Sequence, residues 1–381
     1  MVSPMLKKII SLLIVINGLT LPGCDKIVAP EALQSFGVKK VELTIDSEHL
    51  GELNANLFAR LQVPARIDLD GKSRDILVRY SGQTSINHTK KSFTVEFLDG
   101  DSHNGHRFYV LSAQYGDPTG FNPFIGFYAF AQAGLQVPQV GATALYLNRE
   151  YRGLYFLIEP IDEDFFRKRG QRLGSFYEAT RANAHFSFAG GYDVRLGFEN
   201  QGETRNYFGD LEKILEVLDG SSPDELPSRL EPLLDVESYL SYLAVSVLFH
   251  NYDGYFNNFR MHRERPTDRF TFIPWDVDHL LESHPTRSTI WGANELSQKL
   301  LAVSAYRQRY RQILIDLMDQ KLTPENLDEL LDETAAKINQ AFAADRLLSA
   351  PGKSVFDYAA ARKAFIREWY AKIRQDLALL Q

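Results

Sequence analysis

The hydrophobic pattern of the chain changes its period about halfway along. Apolar and polar residues alternate in the first part, as in VELTI at 41–45, ILVRY at 76–80 and FTVEF at 93–97. Alternation of this kind is typical of half-buried antiparallel strands. Two further apolar runs, at 144–146 and 154–158, flank a turn-rich segment, which indicates a β-hairpin. The chain up to about residue 162 is therefore predicted to be rich in strands.

Helical patterns dominate the second part. Asp235 has the position of an N-cap for a helix that runs to about His250. Helices are also predicted at 121–133, 296–320, 324–347 and 355–380, the third of them with Thr323 as its N-cap. Strands followed by helices define an α+β architecture. We divide the chain accordingly into a β-rich lobe at 37–162 and a mainly helical lobe at 163–381.

The beginning of the chain resembles a secretory signal. Two lysines precede an apolar stretch at 9–21 that is too short to span a bilayer, and LPGC ends at Cys24. This ending resembles a bacterial lipobox, in which the cysteine becomes the acylated first residue of the mature protein. We therefore expect a signal at 1–23, a lipid anchor at Cys24 and a short tether at 24–36. An ordinary signal followed by an incidental cysteine is the alternative.

Cys24 and the residue after it bear on chemistry and location. Because Cys24 is the only cysteine, the mature fold is predicted to have neither a disulfide nor a thiol catalyst. Asp25 is similar to the residue that retains lipoproteins at the inner membrane of diderm bacteria. The expected location is the periplasmic face of that membrane in a diderm, and the cell surface otherwise.

The balance of charge is mildly acidic. With 49 Asp and Glu residues against 42 Lys and Arg residues, nothing favours a protein that binds nucleic-acid phosphates. The 25 Phe and 18 Tyr residues favour a packed globular fold rather than disorder.

The segment 250–278 concentrates the residues with catalytic chemistry. Two predicted strands enclose the turn signal RPTD at 265–268. If the hairpin is centred there, Asn258 lies opposite Asp276, beside the helix end that carries Asp253. A shift of one residue in this register is the alternative.

Oxygen atoms that converge in this way suit a divalent metal. Mg²⁺ and Mn²⁺ accept carboxylate, carbonyl and water oxygens, and a cation relieves the repulsion between neighbouring carboxylates. Asp276 and Asn258 are then metal ligands, which leaves Asp253 free to accept a proton from a hydroxyl group. The alternative is that each of them is a cap or turn residue with no chemical role.

The spacing of these residues is similar to that in protein kinases. Kinases place a catalytic Asp five residues before a metal-binding Asn and reach a second metal-binding Asp after a hairpin. The kinase wordings His-Arg-Asp and Asp-Phe-Gly are absent, and the motifs resemble instead those of the spore coat protein H (CotH) kinase family. These motifs are Arg79 with KKSF at 90–93, Asp117-Pro118 through AGLQVP at 133–138, YRGLYFLIEPID at 151–162 and WDVD at 275–278.

The resemblance implies a fold, an activity and a site. It implies a reduced, atypical protein-kinase-like bilobal fold that binds ATP with Mg²⁺ or Mn²⁺ and transfers a phosphoryl group to protein hydroxyls. Asp253 would be the catalytic base, and Asn258 and Asp276 would be the metal ligands. Asp278 would be a possible second ligand.

The resemblance also implies where the nucleotide binds. Lys90 or Lys91, in the same element as Arg79, would reach the phosphates. Strand alternation places Lys91 on the face of Phe93 and leaves the choice between the two lysines open. Main-chain groups of Glu159 to Ile161 would lie at the lobe connection and hold adenine. Solvated surface residues are the alternative for each of these positions.

Two departures from the family pattern support other functions. The helix after Asp117 opens with GFNP and has no charged residue, and no glutamate partner for the lysine is apparent. A nucleotide-binding pseudokinase, or a non-catalytic envelope or surface-interaction protein, is therefore the alternative function. A metal-dependent hydrolase or transferase that acts on an envelope polymer is a third. It would need a second metal and a water-activating base, and neither is clear in the sequence.

Overall fold

The structure is a computed structural model. It describes the ranges 33–82, 85–98, 100–180, 183–266, 268–282, 289–347 and 352–381. The predicted signal, Cys24, Asp25 and most of the predicted tether lie outside the described residues.

Seven strands form a closed barrel in the first part of the chain. They are β1 (Lys39–Ile45), β2 (Val63–Leu69), β3 (Lys72–Ser81), β4 (Ser92–Phe97), β5 (Phe108–Ser112), β6 (Val140–Leu147) and β7 (Glu150–Ile158). Their order around the barrel is β1-β2-β3-β4-β5-β7-β6, and β1 closes it by pairing in parallel with β6. Alternate side chains such as Ile76, Val78 and Val95 are fully buried inside, so the alternating pattern predicted β1, β3 and β4 correctly.

The predicted hairpin near residue 150 is confirmed as β6 and β7. Asn148 and Arg149 between the strands have φ angles of 51° and 68°, the left-handed backbone that a tight hairpin turn requires. The Asn148 side chain accepts a hydrogen bond from the Ile45 nitrogen at 2.8 Å and donates one to the Ile45 oxygen at 2.9 Å. This amide therefore continues the ladder at the end of β1.

Ten helices are described. They are α1 (Ser47–Ala55), α2 (Asn122–Gln132), α3 (Glu163–Lys168), α4 (Gly209–Asp219), α5 (Leu226–Leu230), α6 (Val236–Leu248), α7 (Glu295–Ala302), α8 (Ser304–Asp316), α9 (Pro324–Ala344) and α10 (Val355–Asp376). The predicted caps Asp235 and Thr323 accept from main-chain nitrogens at the starts of α6 and α9. The single helix predicted at 296–320 is wrong, because extended backbone at Val303 separates α7 from α8.

A second, smaller sheet lies in the helical part. It consists of β8 (Ser175–Ala179), β9 (Phe198–Asn200), β10 (Phe259–Arg263) and β11 (Thr271–Pro274), in the order β11-β10-β8-β9. Tyr239 and Tyr242 of α6 pack against Phe272 of β11, with ring centroids 4.8 and 5.5 Å apart. This aromatic layer fixes the sheet against the helix whose end precedes Asp253.

Residues Ser35–Gln381 form one compact unit. The mixture of a β-barrel, a small sheet and ten described helices confirms the α+β class, whereas the bilobal kinase arrangement stays a prediction. The barrel ends at Ile158 and α3 begins at Glu163. Among the described residues, no helix is both long and apolar enough to cross a membrane.

Candidate active site

The β10–β11 hairpin is offset by one residue from the predicted register. Phe259 pairs with Pro274 and Arg260 with Ile273, so the predicted pairing of Asn258 with Asp276 is wrong. Beside the turn, the Phe270 main chain exchanges hydrogen bonds with Leu233 and Asp235, before α6, rather than with β10. The main-chain nitrogen of Trp275 donates to the Asn258 oxygen at 3.0 Å.

The Asn258 side chain nevertheless reaches Asp276. Its Nδ2 donates to the Asp276 main-chain oxygen at 3.1 Å, and its Oδ1 accepts from Asn257 Nδ2 at 2.7 Å. Asn258 and Asp276 have φ angles of 57° and 48°, a left-handed conformation that Asn and Asp adopt more readily than most residues. Asn258 therefore fixes the loop that carries Asp276 and keeps one lone pair of Oδ1 for a further ligand.

Asp253 opens a single 3₁₀ turn after the end of α6. The Asn257 nitrogen donates to the Asp253 oxygen at 2.8 Å, and the Tyr242 hydroxyl donates to the Gly254 oxygen at 2.9 Å. A β-carbon at Gly254 would approach that hydroxyl to 2.7 Å, so the turn needs glycine there. This turn is fixed from inside, while the Asp253 carboxylate is exposed.

The acidic side chains at this end of the hairpin influence one another. Asp276 reaches solvent, but the surrounding protein removes enough hydration to raise the pKa of its carboxyl. The Asp253 charge raises this pKa further, while His279 opposes the rise. Burial, followed by the Asp276 charge, raises the pKa of Asp278 to about 8. The predicted catalytic and metal-binding residues therefore share one region with surplus negative charge.

These residues fit a divalent cation. The available donors are carboxylate oxygens of Asp276 and Asp278 and the amide oxygen of Asn258, all of which are hard oxygen ligands of the type that Mg²⁺ and Mn²⁺ prefer. Burial and, to a smaller extent, neighbouring carboxylate charges raise the pKa of both carboxyls. A bound divalent cation would offset both effects.

The segment before α2 forms another side of this region. Asn122 Nδ2 donates to the Asp278 main-chain oxygen at 2.6 Å, and Asp117 accepts from the nitrogens of Thr119 and Asn122 at 2.9 Å each. A β-carbon at Gly116 would lie 3.1 Å from the Asp278 carboxylate. The motif Asp117-Pro118 drew attention to this segment, but sequence reasoning assigned it no contact.

His279 is a further charged group that sequence reasoning left without a role at this site. Its Nδ1 lies 2.6 Å from Glu282 and its Nε2 lies 3.7 Å from Asp278. Burial lowers the pKa of His279, but the nearby Asp278 and Glu282 charges outweigh burial and raise it. The sequence feature that could have indicated His279 is its position directly after the WDVD motif.

Lys90 and Lys91 both have protein partners. The Lys90 ammonium lies 2.7 Å from the Asp345 carboxylate and 2.6 Å from the Leu154 oxygen, and only 3% of the residue is exposed. Lys91 is half-buried and donates to the Ile86 oxygen at 2.6 Å. Because β4 begins only at Ser92, the predicted strand alternation does not extend to the lysines, and the buried one is Lys90.

Arg79 lies in β3, opposite Thr94 of β4. Its Nη1 donates to the Tyr80 main-chain oxygen at 3.3 Å. Burial, followed by the charge of Arg60, lowers the pKa of the half-buried Arg79 guanidinium. Arg79 is therefore a cation on the barrel wall with no acidic hydrogen-bond partner among the contacts of the described residues.

Glu159 and Ile161 are held between the end of β7 and the start of α3. The buried Glu159 carboxylate accepts from both terminal nitrogens of Arg169, at 3.1 and 2.9 Å. Although burial opposes it, hydrogen bonding from His106 and Arg169 lowers the pKa of Glu159 to about 2. The Glu159 nitrogen donates to the Gln139 oxygen at 2.9 Å, so this main-chain group is already paired.

Arg260 connects the segment after β7 with the hairpin. Its Nη1 donates to the Ile161 oxygen at 3.1 Å and its Nη2 to Glu178 at 2.9 Å. The guanidinium also lies 4.4 Å from the ring centroid of Trp275, which precedes Asp276. The Arg260 side chain thus joins Ile161, one of the predicted nucleotide-contacting residues, to the acidic region. No sequence motif indicated this contact.

Asn258, Asp276 and Asp278, with the exposed Asp253 beside them, form a candidate cation-binding site. The family model for the CotH kinase protein matches residues 78–366, which is more than half of the chain. The chain therefore belongs to the CotH kinase protein family.

Two curated relatives agree with this assignment. The chain is 26% identical over 300 residues to inner spore coat protein H of Bacillus subtilis (strain 168), covering 75% of this chain and 83% of the relative. It is 22% identical over 274 residues to the inner spore coat protein H-like protein of the same strain, covering 71% of this chain and 80% of the relative.

A solved structure was also found, the Helicobacter pylori proinflammatory kinase CtkA. The match has a TM-score of 0.30 at 10% identity and covers 75% of this chain and 92% of that chain. At that score the similarity carries no structural argument.

Proposed function

We propose that this protein is a CotH-like kinase that transfers the γ-phosphoryl group of ATP to a hydroxyl group of a protein, with Mg²⁺ or Mn²⁺ bound. The observation that carries the proposal is the joining of three oxygen-bearing side chains at one end of the β10–β11 hairpin. Asn258 holds the Asp276 loop through a 3.1 Å hydrogen bond, and the Asp253 charge acts on the Asp276 carboxyl.

Each of these residues has a distinct role in the proposal. The exposed Asp253 accepts the proton of the substrate hydroxyl. The hydroxyl oxygen then bonds to the γ-phosphorus of ATP, and ADP leaves. Asn258 and Asp276 hold the cation, and Asp278 is its further ligand. When bound, the cation would neutralise the negative charge of the phosphates.

For the nucleotide phosphates we favour Lys91 and Arg79 over Lys90. The Lys90 ammonium is enclosed by Asp345 and Leu154, so it would have to leave a buried ion pair to reach a ligand. Lys91 has only a main-chain acceptor, which a phosphate can replace. Adenine would lie at the connection after β7, near Ile161.

The main test is a phosphoryl-transfer assay on the full chain, purified in detergent. Labelled ATP and Mg²⁺ or Mn²⁺ are supplied to the wild type and to the Asp253→Ala and Asp276→Ala variants. We expect autophosphorylation or labelling of a generic substrate by the wild type. Both variants should lose activity by orders of magnitude, because they lose the positioned base or the cation ligand. Equal labelling of all three proteins rejects the kinase assignment.

One observation supports a second candidate, a nucleotide-binding pseudokinase. Lys90 is one of the two lysines to which the family pattern assigns the phosphates. It is buried, and its charge is already matched by Asp345. In the same experiment, binding of ATP by the wild type without transfer favours this candidate.

We also propose that the protein is exported and lipid-anchored at the cell envelope, as LPGC at 21–24 and Asp25 suggest. Cys24→Ser should abolish incorporation of a labelled fatty acid, because no other cysteine is present to receive it. Ser3→Ala, in the same predicted signal, is the control and should keep the label. Equal incorporation in wild type and Cys24→Ser contradicts the anchor.

A further inference from the structure

A second group of metal-ligand side chains lies where the loop between β4 and β5 meets the start of α3. One ring nitrogen of His106 and one carboxylate oxygen from each of Asp162 and Asp164 all lie within 4.8 Å of one another. Within the described ranges, it is the one group of three or more His, Cys, Asp and Glu side chains that is this close. It shares no residue with the acidic region formed by Asp253, Asn258, Asp276 and Asp278.

The second observation is the state of His106. The residue is 0% exposed, and its Nδ1 is buried with no hydrogen-bond partner. Its Nε2 lies 2.7 Å from the Glu159 carboxylate and 2.7 Å from the Lys168 ammonium. A buried ring nitrogen without a partner needs an explanation, because buried polar groups are almost always paired.

The two neighbours of Nε2 imply different tautomers. If Nε2 carries the proton and donates to Glu159, Nδ1 is an unprotonated lone pair. If Nε2 accepts from Lys168 instead, the proton lies on Nδ1, where it is a buried donor without an acceptor. The first tautomer avoids that loss and leaves the Lys168 ammonium to pair with Glu159, 3.7 Å away, instead of with the ring. It also reproduces the arrangement of metal-binding histidines, which donate their other ring N–H to a carboxylate.

The two carboxylates are already oriented by the main chain. Asp162 Oδ1 accepts from the Phe165 nitrogen at 3.1 Å as the N-cap of α3, and Asp164 Oδ2 accepts from the Arg107 nitrogen at 3.0 Å. Arg167 donates to Asp164 Oδ1. Because each carboxylate has about four lone-pair sites, these contacts position the oxygens and leave capacity for a cation.

We propose that His106, Asp162 and Asp164 bind a divalent transition cation of the Zn²⁺ type. One imidazole nitrogen and two carboxylate oxygens are ligands that zinc accepts, with water completing the coordination. Such a cation joins the β4–β5 loop to the start of α3 and so fixes the segment that follows the barrel. The proposal does not depend on the kinase assignment.

The test is zinc binding by the chelator-treated full chain, titrated with Zn²⁺ against a chromogenic chelator. Asp162→Asn is the main variant, because Asn keeps the cap acceptor for Phe165 but loses the charge. We expect the affinity of one zinc site to fall by about 100-fold or more in this variant and in His106→Gln, given that outer-sphere changes alone cost 10–100-fold.

Two controls separate this site from others. Asp46→Asn replaces the N-cap of α1, an exposed Asp that accepts from the Glu48 nitrogen at 2.8 Å, and should leave zinc binding unchanged. Asp276→Asn should impair phosphoryl transfer and, in a titration with excess Mg²⁺ to fill the Asp276 site, leave the affinity of the His106 zinc site unchanged. If His106→Gln is unfolded by circular dichroism, Asp162→Asn decides the question. Equal zinc affinity in wild type and Asp162→Asn, or no zinc bound by the wild type, overturns the proposal.

Discussion

Two acidic side chains of this protein, Glu159 and Asp278, have opposite electrostatic surroundings. Glu159, between the barrel and α3, is paired with Arg169 and His106, and its pKa falls to about 2. Asp278, after the β10–β11 hairpin, is buried beside the Asp276 charge, and its pKa rises to about 8. The protein itself balances the first charge, whereas burial and a like charge oppose the second. Matched charges stabilise this fold, and the unmatched carboxyls lie where we propose that a cation binds.

The largest stability effect is expected where a matched charge is broken. In Lys90→Met the Asp345 carboxylate stays buried without its cation, which typically lowers the free energy of unfolding by about 3–5 kcal/mol. Lys39→Met is the matched control, because the Lys39–Asp70 pair is exposed and such pairs contribute about 0–1 kcal/mol. Urea denaturation of both variants measures the difference. Equal losses would mean that the Lys90–Asp345 pair is no more important than a surface pair.

An effect that is smaller per pH unit, and has the opposite logic, is expected where charge is unmatched. The folded pKa of Asp278 is about 8 against an ordinary value of 3.8, so the folded state keeps a proton that the unfolded state has released. Without divalent cations, stability should therefore fall as pH rises from about 4 to about 8, by at most about 1.4 kcal/mol per pH unit. Mg²⁺ or Mn²⁺ should restore stability near pH 8.

Two variants check the source of that slope. Thermal unfolding in a chelating buffer should show a flatter pH profile for Asp278→Asn, which has no carboxyl to titrate. Asp75→Asn, an exposed position in β3, should keep the wild-type profile. A wild-type profile that rises steadily between pH 4 and pH 8 would contradict the raised pKa of Asp278.

The fold was predictable where local pattern decides it. Alternation identified β1, β3 and β4, and cap residues identified α6 and α9. Barrel closure was not predictable, because alternation shows that Val41 faces inward but does not specify that β1 pairs in parallel with β6. The hairpin register differed by one residue from the prediction, and Phe270 pairs outside the hairpin with the segment before α6, a tertiary contact with no local signal.

The site shows the same division between local and distant information. The spacing of Asp253 and Asn258 and the WDVD motif led to the acidic region, because its residues are close in sequence. The acidic partner of Lys90 was not found, since Asp345 lies 255 positions away and belongs to no recognised motif. Arg260, which links Ile161 to the hairpin, was missed for the same reason.

The Lys90–Asp345 pair has a consequence for dividing the protein into fragments. Asp345 follows α9 but also accepts from the Leu154 nitrogen of β7 at 2.9 Å, and the Tyr151 hydroxyl donates to the Ala341 oxygen of α9 at 2.9 Å. A fragment that ends before α9 would lose the Lys90 counterion together with the contacts between α9 and β7. We therefore expect the β-rich lobe to depend on α9 and on Asp345 after it, so that the two predicted lobes are not independent modules.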